Sequence, residues 1–153
     1  MLTIASRKLE TSKLSKMISF CQGDALDLPF PDNRFICATS GFALRNVDDI
    51  VRCLSEMYRV VSPGGRVVTL ELTPLNPSSL LTPLLTTYFS RWVPLLGQLV
   101  SGDREAYTYL PNSVCTFPTA EELAGMFKEV GMDDVNYRLF NCESVAIHWG
   151  TKP

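Results

Sequence analysis

The sequence predicts an α/β fold with a mostly parallel sheet that ends in an antiparallel hairpin. Two observations lead to this prediction. Helical and strand-like segments alternate through the first half of the chain, as expected of parallel strands joined by crossover helices. Near the end, strand-like runs at 135–140 and 144–150 are separated by only three residues, a connection that permits only an antiparallel hairpin.

The first predicted elements are a helix and two strands. Apolar residues at helical spacing predict an amphipathic helix over residues 1–16. The short apolar runs 17–22 and 35–40 have the composition of buried strands, and the connection between them contains glycine and proline. We therefore expect two strands here, of which 17–22 is suited to a buried position.

A second helix and a third strand follow. Asp48 is expected to cap a helix over residues 50–61, in which apolar side chains form one stripe. The sequence Pro63-Gly64-Gly65 is predicted to end this helix, and residues 66–72 return as a strand rich in β-branched side chains.

The remaining chain is predicted to hold an insertion and a last helix, all within one domain over residues 1–153. Residues 73–117 are rich in proline, leucine and aromatic side chains and interrupt the alternation, so we interpret them as an insertion of helix and loop. Thr119 and Glu122 form a capping box at the start of a helix, and Gly131 is the residue expected at its end.

Composition restricts the classes of function. The chain has 153 residues, of which 46% are hydrophobic and 20% charged, and this indicates a folded domain. A net charge of −2 argues against a nucleic-acid binder, because phosphate recognition needs a clustered basic surface. Residues 80–100 are largely apolar, but Pro83, Arg91 and Pro94 interrupt the run, so we do not expect a membrane span there.

The five cysteines do not predict a zinc site, because no CxxC pair occurs among them. Their odd number fits a reducing compartment. Cys21 and Cys37 lie in predicted strands and Cys53 in a predicted helix, so buried structural thiols are expected.

Several strings of the sequence resemble a known enzyme family. GFALRNV at 41–47 followed by RVVSPGG at 59–65 is a specific combination, as is YTYLPNSVCTFP at 107–118. Together with GDALDLPFP at 23–31 and AIHWG at 146–150, these strings resemble the C-methyltransferases of ubiquinone and menaquinone biosynthesis. The resemblance implies a Rossmann-like class I methyltransferase fold, with S-adenosyl-L-methionine as the methyl donor.

The chain departs from the family pattern in its cofactor motif. Family members carry a strand with a glycine-rich loop and a strand ending in an acidic residue, ahead of a helix that the first residues here match. No such glycine-rich string occurs in this sequence. We therefore expect an incomplete, amino-terminally truncated methyltransferase domain in which S-adenosylmethionine binds weakly or not at all.

The predicted cofactor residues lie at the carboxyl ends of strands, where α/β sheets bind their ligands. The resemblance implies that Asp24 bonds the adenine amino group and that the Ala25 amide faces the ring, with Gly23 and Ser40 at the same edge. The alternative for Asp24 is a turn in which its carboxylate bonds its own backbone.

The predicted catalytic residues are Arg45, Asn46 and His148. Methylation of a ring carbon is favoured by a deprotonated phenol, and a guanidinium stabilises a phenolate because it stays charged. The alternative for Arg45 is a structural arginine bonded to loop carbonyls. His148 is the only histidine and hence an acid–base candidate, although a hydrogen-bonded structural histidine fits its place in a terminal strand equally well.

Tyr107, Tyr109 and the apolar run 80–100 are expected to line a pocket for a polyprenyl tail, with plain core packing as the alternative. No paired carboxylates or metal-ligand cluster is evident in the sequence, which suits methyl transfer without a metal.

The resemblance implies methylation of a polyprenylated benzoquinol or demethylnaphthoquinol, with association at a membrane surface or in a quinone-biosynthesis complex. The implied location is intracellular: cytoplasmic in a bacterium, or the matrix face of the inner mitochondrial membrane in a eukaryote. The alternative function is a non-catalytic fragment or interaction module of such a complex. Strand edges left unpaired would favour a homodimer.

Overall fold

The structure is a computed structural model, and it describes residues 2–10, 12–13, 15–74 and 113–153. The predicted insertion at 73–117 lies mostly outside the described residues. The described elements, in chain order, are α1 (Leu2–Glu10), β1 (Phe35–Gly41), a 3-10 turn (Leu44–Asn46), α2 (Ile50–Val60), β2 (Val61–Leu72), α3 (Ala120–Glu129), β3 (Asp133–Phe140) and β4 (Val145–Thr151).

The described strands form one sheet in the order β1-β2-β4-β3. β1 pairs with β2 in parallel, and α2 is the crossover between them. β4 lies antiparallel to both β2 and β3, so the predicted closing hairpin is confirmed. The parallel part of the sheet within the described residues is this single β1–β2 pair.

The core lies between the sheet and the two helices α2 and α3. Alternate residues of β2 are buried, because successive side chains of a strand point to opposite faces. His148 of β4 lies opposite Thr69 of β2 and is buried on the same side. Leu54, Leu123 and Phe127, all fully buried, fill the space between the helices and the strands.

The helix ends show where local sequence signals succeed. The capping box of Thr119 and Glu122 is confirmed, and Gly131 follows α3 with a φ of +97°, which favours glycine. For α2 the predicted cap is wrong by one residue. Asp49, and not Asp48, accepts the backbone N–H of Arg52 at 2.8 Å.

The predicted helix stop at Pro63-Gly64-Gly65 is also displaced. α2 ends at Val60, and β2 begins at the next residue, so the Pro-Gly-Gly sequence lies inside the strand, where its register with β1 shifts. Gly65 is needed at this irregularity, because a Cβ atom there would lie 2.7 Å from the carbonyl oxygen of Ile36.

Two predictions for the first forty residues are wrong. α1 ends at Glu10 and buries none of its side chains. Residues 17–22 form no strand and are exposed, with Met17 80% exposed. A short apolar run becomes a buried strand only where neighbouring strands and helices cover it, and the described residues provide no such cover for this run.

The exposure of the cysteines also depends on whether neighbouring elements cover them. Cys53 on α2 is buried, as predicted, whereas Cys21 and Cys37 are exposed. Cys21 lies in the irregular segment 17–22, and Cys37 lies on β1, which is an edge strand among the described residues.

The loop at 24–34 is fastened to α2 by Arg59. The guanidinium of Arg59 donates to the carbonyl oxygens of Leu28 and Phe30 at 3.0 and 2.8 Å. It also donates to the Asp32 carboxylate at 2.7 Å. Because these bonds reach three points of the loop, they fix its course over the end of α2.

Glu56 completes this attachment from a buried position. Its carboxylate accepts the backbone N–H of Leu28 at 2.8 Å and two bonds from Arg59, each 2.8 Å long. The hydrogen bond from Arg59 is the main cause that lowers the pKa of Glu56 to about 2, against the opposing effect of burial. The buried carboxylate therefore stays ionised over the whole neutral and mildly acidic range.

Lys152 joins the end of the chain to the end of α2. Its ammonium group donates to the carbonyl oxygen of Tyr58 at 3.0 Å and to Asn33 Oδ1 at 2.8 Å. It also lies 4.4 Å from the centre of the Tyr58 ring. A cation near carbonyls at the carboxyl end of a helix is a favourable electrostatic arrangement.

We predict that Glu56→Gln destabilises the protein by about 2 kcal/mol at neutral pH. This is less than the roughly 3–5 kcal/mol typical of breaking a buried pair, because Arg59 keeps Asp32 and is partly exposed. Since the folded-state pKa of Glu56 lies below its ordinary value of 4.5, its contribution is present above that value and is lost as the pH falls towards about 2. Urea unfolding of both proteins across this range should show their stability difference shrinking, and a constant difference would contradict the prediction.

Candidate functional site

The candidate site lies where β1 and β2 end side by side. Because the two strands are parallel, their carboxyl ends meet at one edge of the sheet. The chain leaves β1 through Phe42, whose backbone N–H donates to the Leu70 carbonyl at 2.8 Å. Phe42 has a φ of +56°, an uncommon conformation for a side chain of this size. The turn that follows carries Arg45.

A buried carboxylate of β2 receives this turn. Glu71, only 1% exposed, accepts the backbone N–H of Leu44 at 2.7 Å and the Arg45 Nη1–H at 3.0 Å. Burial raises the pKa of Glu71 above its ordinary value, and the bonds from Leu44 and Arg45 offset this only in part. The distance of 3.0 Å between Arg45 Nη1 and Glu71 Oε2 is that of an ion pair, which lies at the edge of the core.

The guanidinium of Arg45 lies between Glu71 and the ring of Phe42, whose centre is 5.7 Å from Arg45 Cζ. The Arg45 side chain is 14% exposed, so part of it is open to a ligand. Its Nε atom is buried and has no hydrogen-bond partner among the described residues. A buried donor without a partner is costly, and sites that bind ligands tolerate such donors.

Asn46 is exposed and supports the same turn, since its side-chain amide donates to the Phe42 carbonyl at 3.3 Å. Its contact with the backbone gives it a structural part in shaping the turn.

A cleft of about 330 Å³ adjoins the turn, between β1 and α2. Its lining is mostly apolar. Ala25 and Ser40, two of the predicted cofactor residues, lie on its wall, together with Ala43 and Leu44 from the turn. The fold therefore brings these two residues close to the segment that carries Arg45.

Gly23 and Asp24 do not line this cleft. Asp24 is exposed, and its Oδ1 accepts the backbone N–H of Leu26 at 2.9 Å, which is the turn that was the alternative for this residue. A Cβ atom on Gly23 would lie 2.7 Å from Pro29 Cδ, so glycine is needed there for close packing.

His148 does not line the cleft, and its side chain lies inside the core. Its ring is fully buried, stacks on Phe127 and Tyr137, and bonds the Ala120 carbonyl through Nε2 at 2.8 Å. A carbonyl oxygen only accepts, so Nε2 carries the proton, and Nδ1 has no partner among the described residues. These contacts favour the structural alternative, and the catalytic role of His148 stays a prediction.

Tyr107 and Tyr109, the predicted substrate residues, lie outside the described residues. Within the described ranges, no group of three metal-binding side chains is arranged to hold an ion. Searched over the same ranges, the helices include none that is long and apolar enough to cross a membrane.

Sequence reasoning missed the link between Glu71 and Arg45. Nothing in the sequence pairs Glu71 with a residue 26 positions away. The available signal was an acidic residue at an inward position of β2, since Val67 and Thr69 on the same face are buried. An acidic side chain at such a position requires a partner.

The comparisons with known proteins identify relatives over the whole chain. The ubiE/COQ5 methyltransferase family matches residues 1–152. A demethylmenaquinone methyltransferase of Thermus thermophilus is 44% identical over 153 residues, which cover 100% of this chain and 68% of that protein. A ubiquinone/menaquinone biosynthesis C-methyltransferase UbiE of Desulfotalea psychrophila is 45% identical over 129 residues, covering 84% of this chain and 52% of that protein. The chain thus spans about half to two thirds of these relatives.

Solved structures with low sequence identity share the fold. The [4+2]-cyclase SpnF has a TM-score of 0.71 at 19% identity, over 99% of this chain and 62% of that one. A SAM-dependent methyltransferase of Thermotoga maritima has a TM-score of 0.63 at 17% identity, over 91% of this chain and 66% of that one. The predicted Rossmann-like class I methyltransferase fold is therefore confirmed.

We predict that His148→Phe changes how stability depends on pH. Burial lowers the pKa of His148 below its ordinary value of 6.5, so the unfolded chain takes up a proton that the folded state does not. The contribution that neutral His148 makes to the free energy of unfolding is therefore present above about pH 6.5 and should be lost as the pH falls below that value. Urea unfolding at about pH 8 and pH 5.5 should show a larger loss for the wild type than for the variant. Because the chain has no other histidine, parallel losses in the two proteins would contradict the prediction.

Proposed function

Because the chain belongs to the ubiE/COQ5 methyltransferase family, we propose that it provides the acceptor-binding part of an S-adenosylmethionine-dependent C-methyltransferase of quinone biosynthesis. The names of its relatives support this proposal, since they include both ubiquinone/menaquinone and demethylmenaquinone methyltransferases. The proposed substrate is a polyprenylated benzoquinol or demethylnaphthoquinol.

The observation that carries the proposal is the position of Arg45 on the turn whose residues Ala43 and Leu44 line the cleft. Its guanidinium is tied to Glu71 through Nη1, while its Nε–H has no partner among the described residues. A partly exposed cation with unused donors, beside a mostly apolar cleft, suits an aromatic ring that carries an oxyanion.

The described residues fit part of the cofactor. The mostly apolar cleft lined by Ala25 and Ser40 suits a flat adenine ring, and Asp24, which precedes Ala25, uses its Oδ1 atom for the Leu26 backbone N–H. When bound, S-adenosylmethionine supplies an electrophilic methyl group on its sulfonium. We further propose that this chain binds it weakly, because the sequence has no glycine-rich string that would let the backbone approach the cofactor closely.

Arg45 and Asn46, at the sheet edge where β1 and β2 end, would act on the acceptor quinol. A quinol ring carbon becomes nucleophilic when a neighbouring phenol loses its proton. Arg45 would donate N–H bonds to the resulting phenolate, because a nearby positive charge favours the ionised form of an acid. While Arg45 holds the phenolate oxygen, the sulfonium would supply its methyl group to the ring carbon, the electron pair of the broken carbon–sulfur bond would stay on sulfur, and the proton of that ring carbon would pass to water to restore the aromatic ring. Asn46 would act on the turn, through the Phe42 carbonyl.

We also propose that the protein self-associates through β1, which is an edge strand among the described residues. Ile36 on β1 is 87% exposed, and unpaired edges invite pairing with another chain. Association with a quinone-biosynthesis complex or a membrane surface is proposed from the apolar nature of a polyprenylated substrate.

We predict that Arg45→Lys lowers turnover by about tenfold or more, because a lysine ammonium lacks the planar fork that bonds both Glu71 and a phenolate. The assay is transfer of a labelled methyl group from S-adenosylmethionine to short-chain benzoquinol and demethylnaphthoquinol acceptors. Calorimetric titration of S-adenosylhomocysteine should give the same affinity for variant and wild type.

Arg138→Lys is the matched control, since Arg138 is an exposed arginine on β3. It should leave turnover unchanged. S-adenosylmethionine is supplied in large excess, because weak binding is proposed. Under that condition, methylation of neither acceptor by the wild-type chain, or equal loss in both variants, would contradict the proposed function.

A further inference from the structure

We propose that Glu71 is a positioning residue of the acceptor site, whose task is to hold the Arg45 guanidinium in the orientation that meets the substrate oxygen. This inference rests on the proposed function of Arg45. Glu71 itself would touch neither the acceptor nor the cofactor.

The geometry of the carboxylate supports this role. Oε1 accepts the Leu44 backbone N–H at 2.7 Å, and Oε2 accepts the Arg45 Nη1–H at 3.0 Å. One carboxylate therefore fixes both the backbone of the turn and the side chain that the turn presents. Because Glu71 stands near the carboxyl end of β2 and pairs with Ala146 of β4, it ties Arg45 to a strand that has neighbouring strands on both sides.

The second buried glutamate of the described chain provides an internal comparison. Glu56 also is buried, also accepts a backbone N–H, and also pairs with an arginine. Its partner Arg59 uses its N–H groups on Glu56, on Asp32 and on two carbonyl oxygens. A guanidinium has five N–H groups, and all five of those of Arg59 are hydrogen-bonded to other groups of the protein.

Arg45 differs from Arg59 in this respect. Its single hydrogen bond to a described residue runs from Nη1 to Glu71, and its buried Nε has no partner in that part of the chain. An arginine held by one bond, with donors left over, is arranged to bind something else. The Glu56–Arg59 pair is thus a finished structural connection, whereas the Glu71–Arg45 pair is complete only with a further acceptor.

The surroundings of Arg45 also restrict its movement. The Phe42 ring lies on one side of the guanidinium, and Phe42 is held by Leu70 and by Asn46 despite its positive φ. Backbone strain of this kind persists where the surrounding structure holds it, commonly at functional sites. Phe42 and Glu71 together leave Arg45 a narrow range of orientations.

The test compares Glu71→Gln with Glu56→Gln in the same chain. A glutamine side chain has nearly the same shape as glutamate, and its oxygen can still accept the Leu44 backbone N–H. It carries no negative charge, so the ion pair with Arg45 is lost. We expect Glu71→Gln to lower kcat for the quinol by about tenfold or more, with KM changed by less than about threefold, because a charge-assisted bond is lost. Thermal unfolding should show Glu71→Gln to be folded and no less stable than Glu56→Gln.

A second readout follows Arg45 directly and does not need turnover. The Nε–H signal of Arg45, assigned by its loss in Arg45→Lys, should be shifted and protected from exchange in the wild type, since this atom is buried. Glu71→Gln should reduce that protection by about tenfold or more, while Glu56→Gln should leave it unchanged.

The outcomes separate the two proposals. An Arg45 Nε–H signal unchanged by Glu71→Gln, or a kcat at or above the wild-type value, would overturn the positioning role. If the wild-type chain methylates neither quinol, the proposed function fails, whereas the exchange measurement still decides whether Glu71 orders Arg45.

Discussion

The parallel pairing of β1 with β2 is the constraint on which the candidate site depends. It brings the carboxyl ends of both strands to one edge, so that the turn after β1 arrives beside the last residues of β2. Glu71 can then accept hydrogen bonds from the Leu44 backbone N–H and from the Arg45 guanidinium. Had the two strands been antiparallel, the turn and the carboxylate would lie at opposite edges, and Arg45 would have no buried partner.

Helix α2 connects this edge to the loop that precedes β1. It follows the turn that carries Arg45, lines the cleft through Cys53 and Met57, and holds the loop at 24–34 through Glu56 and Arg59. Because one helix supports both walls of the cleft, a change in its packing would move the predicted cofactor residues and the acceptor residues together.

The local signals for α3 predicted its ends correctly, and those for α2 were displaced by one or a few residues, whereas features that depend on distant residues were not predicted. The capping box at Thr119 and Glu122 is complete within four residues, and so it was read correctly. The strand expected at 17–22 depends on neighbours that the described residues do not supply. The role of Glu71 was not predicted for a related reason, since its partners lie in a turn 26 and 27 positions earlier in the chain.

The contacts of Lys152 also determine how the molecule can be attached to something else. The end of β4 lies opposite Arg66, at the start of the paired part of β2, so it stands at the edge of the sheet farthest from Glu71. Lys152 anchors that end to Tyr58. A linker joined after Pro153 would therefore hold the protein on a sensor surface or bead with its cleft edge directed towards the solution, where quinols and nucleosides can reach it.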